Sequence, residues 1–133
     1  MGNKCEVHRF DARWAAGVAS LCKELGWHSY SDARVAKRGY SAPGVSTFVA
    51  VSNDEVIGFA QVLSDGIVQA FLAQVGVSEK HRRQGIARAL VIAAFQNSGA
   101  QRLDLITDDA HEFYRSFAHR EKAGFRIYPD YAG

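Results

Sequence analysis

The chain has 133 residues, of which 47% are hydrophobic and 23% charged, and its formal net charge is +2. That is the composition of an ordinary globular protein, with enough apolar material for one core, so one domain over residues 1–133 is expected. The near-balanced charge excludes the wide basic surface of a nucleic-acid binder.

Cys5 and Cys22 are the two cysteines. They form no CxxC pair, so neither a metal site nor a disulfide framework is implied, and both read as small buried hydrophobes. The first residues carry no apolar run of signal-peptide type. Glu6 stands where a myristoylation motif needs Ser or Thr, and no stretch approaches the ~18 apolar residues of a membrane span. The expected setting is the cytoplasm, with no membrane partner.

Val7–Phe10 reads as a short first strand. Asp11 can cap a helix that carries Trp14, Val18, Leu21 and Leu25 on one face, and Gly26 ends it. Trp27–Tyr30 is a loop. Ser31 or Asp32 starts a second helix through Lys37, and Ser41-Ala42-Pro43-Gly44 breaks the chain. Thr47–Val51 and Val56–Val62 flank Ser52-Asn53-Asp54-Glu55, the pattern of a hairpin. After the turn at Ser64-Asp65-Gly66, Ile67–Val77 is a long strand, where Gly76 marks a bulge or a close backbone approach. The helix from about Gly85 to Asn97 is apolar almost all round and should be buried. Leu103–Thr107 is another strand. A helix capped by Asp108 or Asp109 should run to about Lys122, and Phe125–Tyr128 is the last strand. The strand–helix–strand passage from Ile67 to Thr107 demands a parallel pair, and the remaining pairs are antiparallel. The expected fold class is therefore α/β (α+β mixed): a mostly antiparallel sheet with a central parallel βαβ unit and helices on both faces.

The chemistry concentrates between that long strand and the apolar helix. Lys80, His81, Arg82, Arg83 and Arg88 fall within nine positions. A basic, glycine-containing turn that leads into a helix start gathers backbone N–H groups and the positive end of the helix dipole, which suits a pyrophosphate.

Arg82-Arg83-Gln84-Gly85-Ile86-Ala87 resembles the (Arg/Gln)-x-x-Gly-x-(Gly/Ala) acyl-CoA signature of the GNAT superfamily of N-acetyltransferases. The context agrees with it. Val75-Gly76-Val77 looks like the family's V-x-V, and Thr107-x-x-Ala110-x-x-Phe113-Tyr114 is similar to its Asn-x-x-Ala-x-x-Phe-Tyr. Gly124-Phe125 resembles the Gly-Phe before its sixth strand. The resemblance covers nearly the whole chain. It departs at Thr107, where Asn is usual, and in a longer stretch between Tyr114 and Gly124.

The resemblance implies a GNAT-like fold and acetyl transfer from acetyl-CoA to a primary amine by direct attack, with a small-molecule amine or a protein lysine as acceptor. It places the co-substrate on Val75, Gly76, Val77, Arg82, Arg83, Gln84, Gly85, Ile86, Ala87, Arg88 and Thr107. Tyr114 becomes the general acid for the departing thiolate, since a phenol is protonated at neutral pH. Trp27, His28 and Tyr30 lie where the family shapes its acceptor site, and three such rings suit an apolar slot.

The general base is the weak point. Ile67–Val77 holds no acid, only Gln69 and Gln74, either of which could position a water; Gln69 joins the substrate-binding residues. The nearest carboxylates are Asp65, Glu79 and Asp104, and Tyr128 and Tyr131 are weaker alternatives to Tyr114. His111-Glu112-Phe113-Tyr114-Arg115 starts like a zinc-protease motif, but Arg115 occupies the second histidine's place, so no metal is expected.

Two rivals differ in class. A non-catalytic acyl-CoA-binding or sensor module would lack the base for a reason. A nucleotide- or RNA-binding α/β domain would use the same turn for phosphates, without the wider basic surface it needs. Finally, the chain stops soon after Tyr128, leaving short last strands and an open edge, so a homodimer is expected.

Overall fold

The computed structural model describes residues 5–130. Five strands form one sheet in the order β1-β2-β3-β4-β5: β1 (Glu6–Arg9), β2 (Val45–Ser52), β3 (Glu55–Ser64), β4 (Gln69–Val77) and β5 (Arg102–Asp104). The first three pairings are antiparallel, and β4 with β5 is parallel. The mixed sheet is as expected, with the parallel pair at one edge of the sheet.

The helices are α1 (Ala15–Glu24), α2 (Ala33–Tyr40), α3 (Ile86–Ser98) and α4 (His111–Arg115). Strand alternation sends consecutive residues of β2 and β3 to opposite faces. Val49, Val51 and Phe59 pack against α1 and α2, whereas Ala50, Ala60 and Val62 pack against α3. Helices therefore cover both faces. In α3, Ile86, Leu90, Val91 and Ala94 are buried while Arg88, Ala89 and Ile92 are exposed. The helix read as buried all round is buried along one stripe only.

Local signals set most boundaries. The Asp11 carboxylate accepts from Arg13 N–H at 2.9 Å and starts a single 3-10 turn, Ala12–Trp14, ahead of α1. Asp32 caps α2 through Arg34 N–H at 2.8 Å, and those backbone bonds hold its carboxyl below the usual range. β4 starts at Gln69 rather than Ile67, because the Asp65 carboxylate accepts the N–H groups of Ile67, Val68 and Gln69. Ile67 and Val68 belong to the turn.

The C-terminal part departs most from expectation. β5 spans Arg102–Asp104 instead of 103–107, and α4 ends at Arg115 instead of near Lys122. No strand forms at Phe125–Tyr128; these residues are irregular and exposed. Cys22 is buried as expected, but Cys5 is exposed. Tyr131 lies outside the described residues.

Candidate active site

The site is a wedge between two strands that part company. β4 pairs with β5 only through Gln69–Phe71. From Leu72 to Val77 it bonds β3 on one side, and its other edge opens into a cleft of about 1040 Å³. The far wall is the chain beyond β5, from Ile106 to Ala110, followed by Phe113 and Tyr114 of α4. A strand edge that faces a cleft presents N–H and C=O groups needing partners, which suits an extended amide-bearing chain.

Val75, Gly76 and Val77 all line this cleft. Gly76 is not the bulge. The register shifts between Gln61↔Gln74 and Val62↔Leu72, so Ala73 is the extra residue. Gly76 serves the close approach instead. A Cβ there would lie 2.6 Å from Leu25 Cδ1 and 2.9 Å from the Trp27 ring. That ring also meets Phe59 edge-on, with centroids 6.0 Å apart.

Beyond Val77 the chain makes a 3-10 turn, Glu79–His81, and then the glycine turn. Glu24, at the end of α1, holds the base of this loop. Its Oε2 accepts from Ser78 Oγ at 2.9 Å and from Glu79 N–H at 3.2 Å. Arg82 Nε donates to the Val77 carbonyl at 3.1 Å. Arg83 (φ +64°) and Gly85 (φ +77°) both adopt the left-handed region, the backbone from which anion-binding nests of successive N–H groups are built. Gly85 is also the N-cap of α3 and offers no side-chain cap, so the first-turn N–H groups of α3 keep their donors for something else. Arg82, Arg83, Gly85, Ile86, Ala87 and Arg88 line the cleft, whereas Gln84 is exposed and does not.

α4 is fastened to this turn. Arg88 donates to Ser116 Oγ at 3.1 Å and lies 4.2 Å over the Phe117 ring. Tyr114 packs edge-on with Phe113, centroids 4.9 Å apart, and stacks on Phe117 at 6.5 Å. Burial raises the Tyr114 phenol above its ordinary pKa. Thr107, also in the wall, accepts Ala110 N–H at 3.1 Å. That bond lies just ahead of the helix; neither Asp108 nor Asp109 caps α4, whose N-cap is Ala110, without a side-chain cap bond.

The other expected residues divide. Trp27 and His28 line the cleft. Tyr30 does not: its ring lies 4.7 Å from Tyr40 and closes over Gly39. Gln69 is at the far end of β4, where it accepts from Arg102 at 3.2 Å. Gln74 lines the cleft and is hydrogen-bonded to Tyr40. Three residues went unforeseen. His81 lines the cleft with Nδ1 buried and unpartnered, and Asp108 and Asp109 are the carboxylates of its wall. The basic cluster gave the signal for His81, but nothing local tied the two aspartates to the cleft. Among the described residues no three His, Cys, Asp or Glu side chains gather as a metal would require, and no helix is long and apolar enough to cross a membrane.

Comparison with known proteins agrees with this architecture. The chain is similar in fold to the aminoglycoside N-acetyltransferase AAC(6')-Iy in complex with a bisubstrate analog of CoA, with TM-score 0.79 and 18% identity over 97% of this chain and 99% of that one. It is similar to an aminoglycoside acetyltransferase from an uncultured soil metagenomic sample, with TM-score 0.76 and 17% identity over 95% and 98%. A ribosomal-protein-alanine N-acetyltransferase from Brucella melitensis biovar Abortus 2308 gives TM-score 0.74 and 17% identity over 93% and 97%. No curated protein matches by sequence. A family model described as an acetyltransferase (GNAT) domain matches residues 43–119, more than half the chain, and takes in most of the cleft but not Leu25, Trp27, His28, Ser29 or Arg126. This chain belongs to the GNAT acetyltransferase family.

Proposed function

We propose that the whole chain is one acetyltransferase domain, which moves an acetyl group from acetyl-CoA to a primary amine by direct attack. One observation carries the reading: the left-handed turn at Arg83 and Gly85 and the unpaired edge of β4 open into the same cleft. The turn and the first N–H groups of α3 would hold the pyrophosphate, with the Arg82 and Arg83 side chains beside it. The open edge, Val75–Val77, would take the amide-bearing arm and polarise the thioester carbonyl. The amine nitrogen forms the new C–N bond as the C–S bond breaks. Tyr114 gives its proton to the sulfur, and the proton that the attacking nitrogen loses as the amide forms passes to water, since β4 carries no acid, and through water restores the phenol. Asp108 and Asp109 place negative charge on the wall, which favours a cationic acceptor, a small-molecule amine or a protein lysine.

Thiol release should follow acetyl-CoA and a panel of small amines and lysine peptides. Turnover with at least one class supports the reading. Tight binding of acetyl-CoA with no turnover across the panel overturns it in favour of a sensor module. The cytoplasm, where acetyl-CoA is abundant, is the proposed setting.

The proposed assembly is a homodimer. Phe125 and Ile127 are 86% and 87% exposed, β5 is an edge strand of the sheet, and Gly124 lies against Ile106, in the chain that follows β5. Exposed apolar side chains and an unpaired strand edge each favour self-association. Light scattering should give twice the chain mass at micromolar concentration; the mass of one chain would contradict it.

A further inference from the structure

The bulge at Ala73 has a second effect. Leu72 packs toward α3. Plain alternation would send Gln74 to that same face. The extra residue reverses the parity, so Gln74 faces α1 and α2, on the side where Trp27 covers Gly76. There Tyr40 Oη donates to Gln74 Oε1 at 2.6 Å. That length belongs to an O–H···O bond rather than an N–H···O bond, which fixes the carboxamide with its oxygen on Tyr40.

Tyr40 is a firm anchor. It is 2% exposed, and its ring meets Phe10, Tyr30 and Phe59. Cys22 Sγ lies 3.7 Å from the phenol oxygen, and Thr47 Oγ1 donates to the Tyr40 carbonyl at 3.0 Å. Burial holds the phenol protonated far beyond its ordinary range, so it remains a donor at every working pH. With its oxygen turned to Tyr40, Gln74 keeps both N–H donors for the cleft it lines. Such a group cannot take a proton from an ammonium. Bound to the amine lone pair, it would block attack. It suits an oxygen carried next to the reacting amine.

We propose that Gln74, oriented by Tyr40, is a specificity-determining residue of the acceptor site and selects amines with a hydroxyl or carbonyl oxygen two or three bonds from the nitrogen. This rests on the acetyltransferase reading above. The test compares 2-aminoethanol with propylamine, which exchange a hydroxyl for a methyl, in wild type, Gln74→Met and Tyr40→Phe. The two amines differ in basicity, but that difference cancels when their kcat/KM ratio is compared between variants. One hydrogen bond supports roughly a tenfold preference. Gln74→Met should lower the ratio by about that factor and leave acetyl-CoA affinity unchanged. Tyr40→Phe should lower it part of the way, as the carboxamide becomes free to turn. If Gln74→Met fails to fold, Gln74→Ala takes its place with the same expectation. A ratio unchanged in a folded Gln74 variant that still acetylates both amines overturns this inference alone. A wild-type protein that acetylates no amine overturns the proposed function and this inference with it.

Discussion

Gly85→Glu should bring acetyl-CoA binding down by roughly a hundredfold or more, while the protein stays folded. Gly85 holds φ +77° at the start of α3, and a Cβ built on it meets nothing within 4 Å. The folded-state cost of the substitution is thus the left-handed backbone of a non-glycine residue, about 1–2 kcal/mol, or a few degrees of melting temperature. The cost to binding is larger. A carboxylate beside the first N–H groups of α3 would satisfy them itself and repel a pyrophosphate. Gly85→Asn separates the two effects, because Asn tolerates this backbone and adds no charge. It should keep measurable affinity. Calorimetric titration checks both variants, with melting curves as the control for folding. Wild-type affinity in Gly85→Glu would remove the turn from the co-substrate site.

The N-terminal two-thirds was largely legible because its signals are local. Asp11 and Asp32 cap where a side-chain oxygen meets a helix start, and the alternation of Val49, Ala50 and Val51 marks β2. The turn from Arg82 to Ala87 was legible too, because its backbone demand falls on a glycine. The rest depends on contacts distant in sequence. Nothing in Leu103–Thr107 says that its partner strand stops bonding it after Phe71, yet that parting creates the cleft. Tyr40 and Gln74 lie 34 positions apart, so their bond left no trace in either neighbourhood. The extended helix expected beyond Asp109 fails for a similar reason. Ser116 takes a hydrogen bond from Arg88 of α3, and Arg115 pairs with Glu121 across a chain that has already left the helix. Tyr30 was placed in the acceptor site by proximity to Trp27 and His28, but it is drawn to the Tyr40 ring on the inner side of the loop.

Tyr114→Phe should lower kcat by roughly tenfold to a thousandfold and leave acetyl-CoA affinity nearly unchanged. The ring makes the structural contacts, edge-on to Phe113 and stacked on Phe117, and a phenylalanine keeps both. Only the hydroxyl is lost, at a half-buried position in the cleft wall opposite the open edge of β4. The pH dependence has a definite sign. Burial raises the phenol's pKa, so the wild-type donor is fully protonated below its ordinary value near 10 and somewhat beyond it. The ratio of wild-type to mutant kcat should therefore stay flat from neutral to mildly alkaline pH. It should narrow only where the wild-type phenol itself ionises. Steady-state kinetics under conditions where chemistry limits the rate checks this, with the affinity measured separately. A mutant that keeps more than about half of wild-type kcat assigns the proton on sulfur to another donor, and Tyr128 or water is then the group to test.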